Sequence, residues 1–277
     1  MRRACFLFLV SFGVTSAQPS AEEIMARVAE NQDKAEAART AWVYDMKVFV
    51  RLLRSGGKVA QEETRLYRVT PGEKGADRTL VSTNGRILEG KKEIPYTEPG
   101  FQHKGVDIDA DVTRSFAEEV MWARGKNTPM VDWFPLTGSH QRHYEFRFLG
   151  EEKYKEYDVY RVGYRSRETD WDDDDCWQGE ALIERNEFQP VLVNSHWECK
   201  VPKAVTVLLG TNVTHLGAKI TWQRLAPGVW FPATCGGEVK VRALFLYGRT
   251  IAFTATNSEF RKTDVQSSVT FEKPRGQ

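Results

Sequence analysis

Along much of this chain, apolar and polar residues alternate with the two-residue period of a β-strand. The longest alternation opens at residue 42, and the polar residues Asp45, Lys47 and Arg51 fall on the side opposite the apolar ones. Because neighbouring side chains of a strand point to opposite faces, the pattern predicts a long strand with one buried face. Its apolar residues are Trp42, Tyr44, Met46, Val48, Val50 and Leu52.

Turn signals divide the segment that follows into hairpins. Residues 55–58 (Ser-Gly-Gly-Lys) predict a turn with a return strand over 63–69. Asn84-Gly85 is a dipeptide that tight hairpin turns favour, so a second hairpin is predicted from segments 79–82 and 86–88. Residues 91–104 are rich in Pro and Gly and indicate a loop.

From residue 144 onward the pattern predicts strand after strand with short connections. Consecutive hairpins of this kind build an antiparallel meander. The predicted strands cover 144–149, 157–164, 177–184, 191–197, 218–225, 238–247 and 251–260.

Two helices are predicted among the strands. The first covers 21–39 and begins at a capping box, in which the side chains of Ser20 and Glu23 accept from each other's backbone amides. The second runs from 113 or 114 to 123, with Phe116 and Val120 inward, because residues four apart share a helix face. The apolar residues of the first helix are Ile24, Met25, Val28 and Ala35.

So many strands with only two helices predict a mainly β (α+β) fold. The expected architecture is a curved antiparallel sheet, or open half-barrel, covered on its concave face by short helices. No low-complexity linker interrupts the pattern, so residues 18–277 are predicted to form a single domain. The 41% hydrophobic and 12% aromatic content is ample for its core.

The first 17 residues are organised like a secretory signal. Arg2-Arg3 precedes an apolar run over 4–14, and small residues at 15–17 suit a signal peptidase. The run is shorter than the roughly 20 residues of a membrane-spanning helix. We expect a periplasmic or otherwise extracytoplasmic protein that begins near Gln18 and has no integral membrane segment.

The charge balance argues against one class of partner. The chain has 39 Lys and Arg against 38 Asp and Glu. It therefore lacks the net basic charge that supplies most of the affinity for nucleic-acid backbones, and no nucleic-acid partner is expected.

The order of elements resembles the outer-membrane lipoprotein-sorting family, which includes the periplasmic lipoprotein carrier and its receptor. The segments that carry the resemblance are 144–152 (YEFRFLGEE), 157–162 (YDVYRV) and the hairpin 181–191, in which a strand, an acidic turn and a Pro-Val return follow one another. The resemblance implies an eleven-stranded half-barrel whose apolar concavity, partly closed by helices, holds acyl chains. The chain is longer than a typical carrier, and no position matches the carrier's functional arginine.

Two acidic clusters are candidate metal sites. Residues 107–118 match most of a calcium-loop pattern, but Val112 stands where the sharp turn normally needs Gly. An acidic loop before a helix explains them better. The four aspartates at 172–175 cannot all converge on one ion in an extended segment, which favours a solvated loop. The carboxylates of the first cluster are Asp107, Asp109, Asp111 and Glu118.

The remaining polar residues form no recognisable catalytic centre. His140 and His143 would share a face only on a helical turn, and no third zinc ligand is indicated. No motif of a hydrolase, metalloprotease or nucleotide-binding loop is present. No cofactor, metal ligand or catalytic residue is therefore assigned. The five histidines are His103, His140, His143, His196 and His215.

Three cysteines follow the signal, an odd number that predicts at least one free thiol. The hairpin around residue 186 brings Cys176 near Cys199, but strand parity places the two side chains on opposite faces unless a bulge intervenes. Cys235 is the third.

A Trp-Phe-Pro tripeptide occurs twice, at 133–135 and 230–232. It is interpreted as aromatic packing beside a strand start, where Pro is tolerated. The alternative is an aromatic rim around a cavity mouth.

The leading hypothesis is a non-catalytic binding protein that holds an acyl chain, a lipid or a lipid-modified partner in an apolar concavity. Burial alone would drive binding, at about 0.8 kcal/mol per methylene. One alternative is a cell-envelope interaction module whose concave face is filled by its own side chains, and a weaker one is a hydrolase with dispersed catalytic residues. The expected ligand-binding residues are Trp42, Tyr44, Met46, Phe116, Val120, Phe146 and Phe148.

Overall fold

The computed structural model describes residues 18–39, 41–72, 75–99, 101–103, 109, 113, 134–167, 176–198, 212–243 and 247–263. Helix α1 (Ala21–Arg39) has the predicted bounds. Its capping box forms: the Ser20 backbone N–H donates to Glu23 Oε2 at 2.8 Å, and the Glu23 N–H donates to Ser20 Oγ at 3.1 Å. A one-turn helix, α2 (Gly138–Gln141), lies just before the meander.

Eleven strands form one sheet. They are β1 (Trp42–Arg54), β2 (Val59–Gly72), β3 (Gly75–Glu89), β4 (Lys92–Tyr96), β5 (Tyr144–Tyr154), β6 (Tyr157–Ser166), β7 (Trp177–Glu184), β8 (Pro190–Trp197), β9 (Asn212–Ala226), β10 (Val229–Ala243) and β11 (Tyr247–Lys262). All neighbours pair antiparallel, in the order β4-β3-β2-β1-β11-β10-β9-β8-β7-β6-β5. The sheet is open, with β4 and β5 as its edges. We call β1 to β4 the first wing and β5 to β8 the second wing.

The alternation predicted for β1 is confirmed. Its apolar residues from Tyr44 to Leu52 are buried on one face, whereas Lys47 and Arg51 are exposed. Ile24, Met25 and Val28 of α1 belong to the same hydrophobic core. We call this side of the sheet the inner face. The mainly β fold, an open antiparallel sheet with few short helices, is confirmed.

The hairpin predicted at Asn84-Gly85 is wrong. The strand β3 runs through both residues, and the chain reverses between Gly72 and Gly75, which pair with each other. Glycine is needed at 85 for space: a Cβ there would lie 2.1 Å from Tyr96 Cζ. The dipeptide therefore serves packing between strands, which a local turn signal cannot reveal.

Two further boundaries differ from the prediction. Residues 92–96, expected in a loop, form β4 against Gly85 to Glu89 of β3, because an edge strand tolerates Pro95. The strand predicted at 238–247 begins earlier, at Val229, and contains Pro232 and two glycines that weakened its strand pattern.

The predicted second helix is described at two positions. Asp109 and Thr113 are helical, and Thr113 Oγ1 donates to the Asp109 carbonyl at 2.9 Å. Residues 114–123, with Phe116 and Val120, lie outside the described residues. Within the described part of the chain, no helix has the length and apolar character to cross a membrane.

Candidate functional site

Strand β2 turns charged side chains towards the inner face. The pairing of β1 with β2 shifts by one residue between Leu52 and Leu53, and beyond this shift Glu63 lies opposite Val50 and Arg65 opposite Val48. Directly paired residues of neighbouring strands share a face. Glu63 and Arg65 are 2% and 1% exposed, so the first wing buries a carboxylate and a guanidinium within its apolar interior.

The two charges belong to one hydrogen-bonded cluster. Arg65 Nε donates to Glu63 Oε1 at 2.5 Å, and Arg65 Nη1 donates to the Tyr67 hydroxyl at 3.4 Å. The Tyr96 hydroxyl donates to Glu63 Oε2 at 2.9 Å and accepts from Gln61 Nε2 at 2.7 Å. Charge-assisted hydrogen bonds of this kind offset part of the cost of burying two ions. We call Gln61, Glu63, Arg65, Tyr67 and Tyr96 the polar cluster.

Strand β4 completes the cluster through Tyr96. Its ring lies over Gly85 of β3 and stacks on Phe101, with ring centroids 5.2 Å apart. Only a residue without a side chain at 85 lets the ring cross β3 and bring its hydroxyl to Glu63. The short edge strand thus contributes a buried hydrogen-bond donor to the interior.

Protonation of the cluster follows from burial and its neighbours. Burial raises the pKa of Tyr96, so the phenol remains a donor at neutral pH. Burial acts to lower the pKa of Arg65, but the hydrogen bond with Tyr67 and the charge of Glu63 outweigh it and raise that pKa. The guanidinium therefore stays charged although it is buried.

The predicted second helix begins against this cluster. Thr113 Oγ1 donates to Gln61 Oε1 at 3.4 Å. Four residues earlier, Asp109 pairs with Arg249 of β11 in two contacts, Nε to Oδ1 at 2.8 Å and Nη2 to Oδ2 at 3.1 Å. These contacts attach the segment at 109–113 to β2 and β11.

Around the cluster the inner face is apolar on one side and carries a buried hydroxyl on the other. Val48 and Val50 of β1 separate it from Ala255 and Phe253 of β11, and all four are buried. On the β3 side, Thr83 lies opposite Arg65. Thr83 Oγ1 is buried and has no hydrogen-bond partner among the described residues.

The five described residues that were predicted to bind a ligand lie on the inner side, in two groups. Trp42 and Tyr44 contact the ring of Phe231, and Tyr44 also stacks on Phe260. Phe148 meets Tyr160 in the second wing at 6.2 Å. Tyr44 and Met46 are buried, whereas Trp42, Phe146 and Phe148 are partly buried against the core. Phe116 and Val120 lie outside the described residues.

Sequence reasoning missed the polar cluster. The segment at 63–69 is correctly predicted as a strand, but its inner face was not predicted, and its Leu66 lies on the outer face beside Thr64. Pairs counted back from the turn at 55–58 would place Glu62 and Thr64 inside, because the register shift at Leu52 and Leu53 moves each later partner by one residue. A hydrophobic pattern does not suggest that register.

The other polar candidates do not come together in a shared site among the described residues. Asp109 is held by Arg249, His140 lies in α2, and the remaining carboxylates of both acidic clusters lie outside the described residues. Among the described residues, no three His, Cys, Asp or Glu side chains come together. Trp230 and Phe231 of the second tripeptide are buried core residues, as the packing interpretation expects.

The predicted parity of Cys176 and Cys199 is not tested, because Cys199 lies outside the described residues. Trp177 and Trp197, their neighbours on β7 and β8, pair directly. Cys176 is nevertheless disulfide-bonded, and its partner lies outside the described residues. Cys235 is a free, buried thiol, and burial raises its pKa. The expectation of a free thiol is confirmed.

Comparison with known proteins gives similarities of fold. No family model matches the chain, and no curated protein matches its sequence. Among solved structures, it is similar to an outer membrane lipoprotein-sorting protein domain from Vibrio parahaemolyticus (10% identity, 89% of this chain and 95% of that chain, TM-score 0.41). It is also similar to a LolA superfamily protein from Nitrosomonas europaea (10%, 90% and 96%, 0.33) and a DUF1329 family protein from Desulfovibrio piger (11%, 91% and 96%, 0.39).

Proposed function

We propose that this chain is a non-catalytic, extracytoplasmic protein that binds an amphiphile, an acyl chain with a polar head, on the inner face of its sheet. The observation that carries the proposal is the polar cluster, a buried Glu63–Arg65 pair within an otherwise apolar first wing. An interior with one polar end and one apolar end matches a ligand that has both. The ligand would be a lipid or the lipid group of a modified partner protein.

The energetics of burial favour a role beyond stability. Replacing a buried ion pair by apolar residues of similar volume is often neutral or stabilising. A chain that only needed a core would gain little from Glu63 and Arg65. A guanidinium and a phenol, by contrast, recognise the oxygen atoms of a carboxylate, ester or phosphate head group.

The buried hydroxyl of Thr83 supports the same assignment. A buried polar atom without a partner costs about 1–3 kcal/mol, and Thr83 Oγ1 has none among the described residues. It lies opposite Arg65 across the β2–β3 ladder. We assign the head group to Arg65 and Thr83.

The acyl chain would lie along the apolar inner face. Each methylene moved there from water contributes about 0.8 kcal/mol, so a chain of ordinary length binds without a second charged group. We propose that the chain contacts Trp42, Tyr44 and Met46 of β1 and Phe146 and Phe148 of β5, with Phe116 and Val120 covering it.

The export signal supports the proposed location. A basic start, a short apolar run and small residues precede Gln18. We propose that the protein acts outside the cytoplasm, as a single domain over 18–277.

The decisive experiment compares two threonine-to-valine variants of neighbouring β2 and β3 positions. Thr83→Val removes the buried hydroxyl at nearly constant shape, while the control Thr64→Val changes the outer face. A fluorescent fatty acid is titrated into each protein. We expect roughly tenfold weaker binding for Thr83→Val, the equivalent of about one hydrogen bond, and no effect of Thr64→Val on binding. The melting temperature of Thr83→Val should be at least that of the wild type, because the variant removes an unpaired buried hydroxyl.

A second arm identifies the head group. A fatty acid and the corresponding alkane are compared as competitors for the probe, and the wild type should prefer the acid whereas Thr83→Val should lose part of that preference. Equal competition by both, in both proteins, contradicts the assignment to Arg65 and Thr83.

One observation favours the alternative of an interaction module with a filled interior. Met46, Val48 and Val50 are each 0–1% exposed, so the described part of the inner face is already covered. Native mass spectrometry of protein from its own envelope separates the two. Co-purified lipid that organic solvent removes supports binding, whereas a clean protein mass together with no fatty-acid titration favours the module.

A further inference from the structure

Among the described strands, only β4 pairs with the outer edge of β3, and it covers one end of that edge. This strand has 15 residues, but β4 pairs with its last five, Gly85 to Glu89. Over Ala76 to Asn84, β3 has a ladder with β2 on one side, and no described strand pairs with its other side. We call 76–84 the open edge.

The open edge exposes apolar side chains. Leu80 and Val81 are 39% and 53% exposed, and with Leu149 they are the large hydrophobic side chains exposed among the described residues. Residues 77–82 are all exposed. An edge of this kind is a template for pairing with another strand.

Among the described residues, the other edge strands carry charged residues or proline along their length, whereas most of the open edge carries neither. Natural proteins guard edges with charged residues and proline. Strand β5 carries five charged residues, Glu145, Arg147, Glu151, Glu152 and Lys153, and β4 carries Lys92, Glu93 and Pro95. From Thr79 to Asn84 the open edge has neither a charge nor a proline.

We propose that the open edge is a docking site for a second copy of this chain, with two β3 strands pairing antiparallel about a twofold axis at Leu80. This register places Leu80 opposite its own copy and Thr79 opposite Val81. Arg78 then lies opposite Ser82 and Asp77 opposite Thr83, so no like charges meet across the ladder.

The ends of the open edge fit the same register. Ala76 of one copy lies opposite Asn84 of the other, one residue before β4 occupies the edge at Gly85. Pairing with a second copy in this register therefore covers the whole open edge and ends where β4 begins. A twofold contact of one surface with itself closes and does not propagate.

The contact should be weak. It joins nine residues of each strand, which falls below the area of standard stable interfaces. The register shift between β2 and β3 near Leu80 also bends the edge. We expect monomers at low concentration and dimers at roughly 100 µM and above, the range of weak complexes.

Sedimentation velocity across concentration tests the proposal with a matched pair of variants. Leu80→Lys places two lysines together at the axis, whereas Leu149→Lys changes a leucine of equal exposure, 39%, on the other edge strand. We expect Leu80→Lys to remain monomeric where the wild type dimerises, and Leu149→Lys to behave as the wild type. Circular-dichroism melting confirms that both variants fold.

Oxidative cross-linking tests the register. Leu80→Cys should form an interchain disulfide, because paired residues of antiparallel strands lie about 4.5–5.5 Å apart, and Leu149→Cys should not. Cys235 is buried and Cys176 is already disulfide-bonded, so neither competes. A wild type that stays monomeric at every concentration, dimers that persist in Leu80→Lys, or cross-linking of Leu149→Cys alone would overturn the proposal.

Discussion

The two wings of the sheet bury different chemistry behind the same strand architecture. In the first wing, β2 places Glu63 and Arg65 on the inner face. In the second wing, the corresponding residues are apolar: Val162, Ala181 and Val193 face each other across β6, β7 and β8 and are fully buried. The first wing therefore buries an ion pair at positions where the second wing has apolar packing.

The two wings also differ in the contacts that attach the helical segments packed against them. Helix α1 is fastened to the hairpin that joins β7 to β8. Gln32 Nε2 donates to Gln189 Oε1 at 2.7 Å, and Asn31 Nδ2 donates to the Glu187 carbonyl at 2.7 Å. Arg27 lies over the ring of Phe188 at 4.8 Å. In the first wing, the segment at 109–113 is attached by the hydrogen bond of Thr113 and by the Asp109–Arg249 ion pair.

The largest expected effect concerns the charged pair. Arg65→Met leaves Glu63 buried without its main partner, and we expect it to lower the free energy of unfolding by about 3–5 kcal/mol. The double variant Glu63→Leu/Arg65→Met removes both charges and should recover most of that loss. Urea unfolding measures both. A double variant no more stable than the single one would contradict the view that the pair is dispensable for folding.

Gly85→Ala tests the packing that brings Tyr96 to the cluster. The new methyl group collides with the Tyr96 ring, and overpacking of this kind costs about 1–3 kcal/mol. Gly138→Ala is the control, since a Cβ there meets nothing within 4 Å. Thermal melting compares them, and equal melting temperatures would show that the ring yields at no cost.

In the second wing, Gln32→Leu should test how α1 is fastened. It leaves the Gln189 amide oxygen buried without the donor it has now, at an expected cost of about 1–3 kcal/mol. Gln178→Leu, on a partly exposed position of β7, is the control. If the hydrogen bond matters, the double variant Gln32→Leu/Gln189→Leu will lose less than the sum of the single ones.

At neutral pH the smallest effect is expected for Tyr44, which contributes a pH dependence of stability that appears only in the alkaline range. Burial raises the pKa of Tyr44 to about 12, with Arg39 acting to lower it, against about 10 in the unfolded chain. The folded state therefore holds the proton more tightly. Its contribution is complete below pH ~10 and is lost as the pH rises to about 12, at ~1.4 kcal/mol per pH unit.

Tyr44→Phe should remove this contribution to the fall of the free energy of unfolding at alkaline pH, as measured by urea unfolding. Burial also raises the pKa of Tyr96 in the first wing and of Tyr164 in the second. Tyr96→Phe and Tyr164→Phe should each flatten the slope further, so both wings contribute. An unchanged slope in Tyr44→Phe would mean that its phenol ionises as it does in the unfolded chain.

Local signals were sufficient where an element depends on its own residues. The capping box set the start of α1, and the alternation along β1 identified its buried face. The bounds of β7 were predicted to the residue. In each case the interactions lie within one turn of helix or one strand, so sequence alone determined them.

Tertiary pairing decided the rest. Asn84-Gly85 has the chemistry of a turn, yet both residues lie within a strand, because pairing with β2, and at Gly85 also with β4, outweighs a local preference. Glu63 and Arg65 face inward because the β1–β2 register forces them to. The cost of burying them is offset in part by Tyr96, which is 33 residues from Glu63 in sequence and donates to its carboxylate. A hydrophobic pattern counts only a residue's own polarity, whereas a buried charge is stabilised by partners that only the folded sheet brings to it.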